Sequence, residues 1–208
     1  ASDVYKRQVT NYQEWDKITD KRRQDLLVYL ALTKFDNRPK FSQLSVVVRN
    51  DIKALFGSYT KACTLGDLML LSLGNPELIS KCCQNSYIGS KFANSLCVHV
   101  SAVPKLDPLL RLYEGCANHT IGRLNDATIV RFDYKLPIIS YLFYPDFDRE
   151  AHPVLHTTMN IHLGNLSVSI KDYTKEYNPP ILHRKDALVT PDYPHYEKFA
   201  KLTIQEED

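Results

Sequence analysis

Between residues 19 and 117 apolar positions recur at three- and four-residue intervals, and beyond residue 127 they alternate. The chain therefore predicts helices first and strands second. A first helix is capped by Thr19 or Asp20 and ends near residue 35, with Leu26, Leu27, Leu30 and Tyr29 as its inner stripe and Asn37-Arg38-Pro39 as its stop. A second covers residues 44–56 and closes on Gly57, although Val46-Val47-Val48 leaves a strand open at its start. A third covers 59–73, with Leu65, Leu68, Met69 and Leu71 or Leu73 turned inward. Asn75-Pro76-Glu77 opens a fourth in the favoured cap-then-proline order, and a fifth follows Pro104 or Asp107 to about residue 117. Strands are expected at 96–100, 127–134, 137–144, 154–163 and 166–172, the last two forming a hairpin around Gly164-Asn165, where both residues tolerate positive φ. After Asn178-Pro179-Pro180 the chain reads as irregular until a short terminal helix. This order predicts an α+β fold, a helical part packed on a small antiparallel sheet.

The expected organisation is a mainly helical part at 9–120 and an antiparallel β part with a C-terminal helix at 121–208, together one compact unit. Residues 1–8 resemble translated sequencing-adapter readthrough and are set apart from fold reasoning. The terminal helix stops without a cap or breaker, so both ends suggest a piece of a larger protein.

Composition narrows the function classes. Lys and Arg total 26 against 24 Asp and Glu, so a basic surface must be local rather than global. The apolar runs at 26–32 and 68–71 are too short to span a bilayer. Five cysteines fall far short of a disulfide scaffold, so reduced thiols and a cytoplasmic location are expected.

Glycines at 57, 66, 74, 89, 115, 122 and 164 never reach G-x-G spacing, so neither a Rossmann-type nor a Walker A loop can form. No cofactor site for a dinucleotide, ATP or S-adenosylmethionine is therefore expected in this segment. Cys82-Cys83, Cys97 with His99, and Cys116 with His119 depart from zinc spacing and read better as small core residues, so no metal site is assigned. Asp146, Asp148 and His152 form the densest acid–imidazole cluster and are the catalytic candidates, as divalent-metal ligands of a phosphodiesterase or nuclease. Ser169 stands where a PD-(D/E)xK nuclease needs an acid before Lys171, and an acidic turn capped by its own side chains is the plainer reading. Asn178-Pro179-Pro180-Ile181 has the outline of an amino-methyltransferase motif, but Ile181 offers no ring to stack on a flipped base.

Two basic triads, Lys21-Arg22-Arg23 and His183-Arg184-Lys185, are the candidate nucleic-acid contacts. The first sits in the opening turn of its predicted helix, where cations oppose the dipole unless Asp16, Asp20 and Asp25 offset them; the second follows a stiff proline pair.

The strings DLLVYLAL at 25–32, DIKALFGSY at 51–59, LYEGC at 112–116, ISYLFYPDFD at 139–148 with His152-Pro153, and NPPILHRK at 178–185 occur in an order that resembles the C-terminal half of the methyltransferases associated with DNA phosphorothioation. The resemblance runs from about Arg23 to the end. It implies a bacterial defence and DNA-modification setting, DNA and phosphorothioation-system proteins as partners, and a catalytic domain further upstream. S-adenosylmethionine is implied for that parent protein, and no functional residue of the family carries over to this segment. The expected role is to hold DNA or support the catalytic domain. Alternatives are the metal-dependent phosphodiesterase and a protein-interaction module presenting Tyr134, Tyr141, Tyr144 and Tyr173.

Overall fold

The computed structural model describes residues 2–122 and 124–207, with side chains from residue 14 to 206. It is an α+β protein whose chain divides into two compact units, Ala1–Ser72 and Leu73–Asp208.

The first unit is built from α1 (Ser2–Leu32), α2 (Val46–Phe56) and α3 (Tyr59–Ser72). Helix α1 starts well before Asp20, so Lys21-Arg22-Arg23 lie in mid-helix and not in an opening turn, where the helix dipole would oppose them. Ser45 caps α2 by accepting from the Val48 amide, and Gly57 closes it at φ 79°, so the valine run is helical. Leu26, Leu30, Leu44, Ile52 and Phe56 form the core.

Helix α3 turns inward the small face Ala62, Cys63 and Gly66, leaving Leu68 and Leu71 exposed, contrary to the leucine stripe expected there. The reason is a close approach to α1. A Cβ on Gly66 would lie 3.2 Å from the Ala31 amide nitrogen and 3.5 Å from the Leu27 carbonyl oxygen. Arg38 then fastens the far end, donating to the Leu30 carbonyl at 2.9 Å and to Asp67 at 2.6 Å. With Lys34 also on it, Asp67 is held below the usual carboxylate range. Gly66→Leu is expected to destabilise this unit by about 1–3 kcal/mol through overpacking, read as a lower urea midpoint by Trp15 fluorescence.

The second unit is a meander of six antiparallel strands in sequence order: β1 (Ser90–Lys91), β2 (Ser95–His99), β3 (Ile129–Asp133), β4 (Ile138–Phe143), β5 (Thr157–His162) and β6 (Ser167–Asp172). Helices α4 (Pro76–Asn85) and α5 (Pro108–Ile121) belong to the helical stretch of sequence yet pack with this sheet. Each begins with an Asx cap before proline: Asn75 accepts from Glu77, and Asp107 accepts from Leu109. Alternation gives the sheet two buried faces. Leu96, Val98, Val130, Phe132, Ile139, Tyr141 and Ile161 meet α4 and α5. Cys97, Ile129 and Leu142, with Tyr144 beyond them, meet Phe147 and Leu155 from the β4–β5 connection, Leu188 from the C-terminal segment and Phe199 from α6 (Tyr196–Glu207).

In the β5–β6 turn the left-handed residue is Leu166, at φ 56°, while neither Gly164 nor Asn165 takes positive φ. Leucine there is strained by roughly 1 kcal/mol. No helix among the described residues is long and apolar enough to cross a membrane.

Candidate anion-binding groove

The sheet face that carries Cys97, Ile129 and Leu142 is only partly covered. A groove of about 720 Å³ remains between the β1 edge and residues 180–188, within the range of roughly 300–1,000 Å³ common for ligand sites. Its floor is Cys97, Ile129, Leu142 and Tyr144, with Arg131 rising from β3; Lys91 and Phe92 stand at the β1 rim.

The opposite wall is fixed by backbone pairing. An isolated bridge joins Val154 to Ile181, flanked by hydrogen bonds from the Leu155 amide to the Pro180 carbonyl (2.8 Å) and from the Leu182 amide to the Pro153 carbonyl (3.0 Å). Pro179-Pro180 keeps this stretch extended and out of helix. Asn178-Pro179-Pro180-Ile181 is thus a strap along the groove, and Ile181 pairs with Val154 rather than presenting a motif loop.

The electrostatics of the lining are one-sided. Lys91, Arg131, His183 and Arg184 line it, and no Asp or Glu does so among the described residues. Arg131 is half-buried; its guanidinium donates to the Ser140 hydroxyl at 3.1 Å and forms no ion pair among the described residues. A partly desolvated guanidinium with spare donors attracts carboxylate or phosphate oxygens. Phe92, 58% exposed, stands at the margin with the half-buried Tyr173, over whose ring the Lys171 ammonium lies at 4.3 Å.

The structure separates the sequence candidates. Of the second basic triad, His183 and Arg184 reach the groove, whereas Lys185 is 2% exposed and cannot contact a phosphate at the surface. Its ammonium donates to the Phe147 carbonyl at 2.8 Å and the Glu150 carbonyl at 2.6 Å, and lies 4.0 Å over the Phe199 ring. Burial, with the nearby Lys198 charge, lowers it to about 8. It is a core cation, held by carbonyl oxygens and π faces. In the first triad, Arg22 pairs with Asp51 at 2.7 Å and Arg23 lies over Phe56, so both serve packing within the helical unit; Lys21 is exposed.

Asp146, Asp148 and His152 do not converge. Asp146 pairs with Arg149, Asp148 accepts from the Tyr193 hydroxyl at 2.8 Å, and His152 meets Glu206 at 3.0 Å. Lys171 pairs with Glu176. The only group of three or more ligand-type side chains among the described residues is His152, His183 and Glu206. The cysteines do not assemble, and burial raises the thiols of Cys82, Cys97 and Cys116 to about 11 and that of Cys83 to about 12, which keeps them protonated. The four tyrosines do not share a face. Tyr141 and Tyr134 pack under the helices, Tyr144 and Tyr173 on the other side, and Tyr141 and Tyr144 are buried.

The chain matches no protein-family model, no curated protein and no solved structure.

Sequence reasoning missed Lys91, Phe92 and Arg131. A lone arginine within Ile129-Val-Arg-Phe-Asp133 is the one available signal, since a charge on a strand with two buried faces needs a partner or a ligand.

Proposed function

We propose that this chain is a nucleic-acid-holding region without a cofactor loop of its own, and that the groove on the sheet takes a single-stranded DNA segment. The observation that carries the reading is that the charged groove-lining side chains among the described residues are the cations Lys91, Arg131 and Arg184, with no Asp or Glu beside them and with Phe92 and Tyr173 at the margin. Cations for phosphates beside rings for bases are the pattern of single-strand binding. The motif order at 25–32, 51–59, 112–116, 139–153 and 178–185 supports a DNA-modification setting, in which an S-adenosylmethionine-dependent methyltransferase domain and phosphorothioation-system proteins are the expected partners in the cytoplasm.

Fluorescence anisotropy with a short oligothymidine against salt tests the reading. Three cations on phosphates predict a slope of log K against log salt of about −2. Arg131→Ala is expected to weaken binding about 5- to 10-fold and flatten the slope by roughly 0.7, while Lys21→Ala leaves both unchanged. Equal affinity of wild type and Arg131→Ala would remove the groove from the account.

A further inference from the structure

The Val154–Ile181 bridge has a second consequence. Continued two positions outward, the same antiparallel register sets His152 opposite His183, and their ring centroids lie 4.6 Å apart. The last turn of α6 brings Glu206 between them. Its carboxylate places one oxygen 3.0 Å from His152 Nε2 and the other 3.9 Å from His183 Nδ1. The three ligand atoms all lie within 4.8 Å of one another.

A hydrogen bond accounts for the first of these distances and not for the second, which is beyond hydrogen-bond range. Ligands about 2.0–2.1 Å from a zinc ion stand ~3.4 Å apart in a tetrahedron, a spacing that 3.0 and 3.9 Å bracket. We infer that His152, His183 and Glu206 bind one divalent first-row transition ion of the zinc class, through His152 Nε2, His183 Nδ1 and the Glu206 carboxylate. Two imidazoles and one carboxylate select such ions over magnesium or calcium, which prefer all-oxygen sites. Three protein ligands leave a position for water, which the exposure of His183 and Glu206 allows.

Binding moves the His152 ring proton from Nε2 to Nδ1. Nδ1 is buried and has no hydrogen-bond partner among the described residues. Metal-bound histidines ordinarily donate from that second nitrogen, so affinity should fall about 10- to 100-fold below a site that supplies the acceptor. The two sites share His183, whereas His152 and Glu206 do not line the groove, so Glu206→Gln tests the metal site apart from the DNA reading.

The full chain, stripped with a chelator and dialysed, is titrated with Zn²⁺ by calorimetry and with Co²⁺ by visible absorption. One ion per chain is expected, with a nitrogen–oxygen cobalt spectrum lacking thiolate charge-transfer bands, a higher Tm with Zn²⁺, and no response to Mg²⁺. His183→Ala and Glu206→Gln, both at exposed positions, are expected to lower affinity at least about 100-fold and abolish the Tm shift while leaving the metal-free Tm close to wild type. Absence of binding, a thiolate spectrum, or unchanged affinity in both variants would overturn the site.

Discussion

Phe199→Ala is expected to destabilise the unit at residues 73–208 by about 3–5 kcal/mol, the cost of emptying a well-packed aromatic site. Phe199 is 1% exposed and is the residue by which α6 enters the sheet's second face. Its ring stands edge-on to Phe147 at 5.5 Å and stacks with Tyr193 at 6.0 Å. It also supplies one of the two π faces over which the Lys185 ammonium rests. Alanine removes packing and part of the compensation for a buried cation together. A Phe199/Lys185 double-mutant cycle is accordingly expected to show coupling of about 1–2 kcal/mol. Denaturation followed by far-UV circular dichroism, with Trp15 fluorescence reporting the helical unit separately, measures the loss; a change below about 1 kcal/mol would mean that α6 contributes little to this core.

The second large effect is a loss of stability in acid that belongs to His99. Its ring is 8% exposed, stacked on Phe147 at 4.7 Å and edge-on to Tyr193 at 5.0 Å. Nδ1 accepts from the Ser101 amide at 3.2 Å, which assigns the ring proton to Nε2. Burial lowers its pKa from 6.5 to about 4, and the Asp148 charge opposes the shift only in part. The unfolded chain therefore binds a proton that the folded chain refuses between these values. Stability is fully present above about pH 6.5 and is lost as pH falls towards 4, by about 3 kcal/mol in all. Below pH 4 the His99 contribution levels off. His99→Phe, which keeps the ring, is expected to remove this part of the profile, so the difference between the two curves isolates it from the carboxylates. Parallel curves from pH 7 to 4 would contradict a neutral buried imidazole.

What could be seen in the sequence follows from how local each signal is. Caps at Asn75 and Asp107 depend on residues two apart, and the structure shows both. Alternation over 129–143 and 157–172 likewise carried the long strands and their neighbours. Strand β1, two residues long, has no period to find. The inner face of α3 is hidden from the sequence because apolar count favours Leu68 and Leu71, whereas closeness to α1 favours Ala62 and Gly66, and that preference exists only once α1 is in place.

The site residues failed in the same way. Lys185 reads as a surface cation beside His183 and Arg184, but its partners are carbonyls 38 and 35 residues away. His152 reads with its neighbours Asp146 and Asp148, yet the Val154–Ile181 bridge carries it to His183. Arg131 gains meaning only because no Asp or Glu among the described residues lines the groove with it, which is a property of the assembled groove.

The most direct measurement is a ¹H–¹⁵N map of the chain titrated with a short oligothymidine. Shifts are expected to gather on Lys91, Ser95, Arg131, Thr158, His183 and Arg184, which line one groove. Shifts confined to Lys21, Arg22 and Arg23 on α1, or none at saturating oligonucleotide, would contradict it.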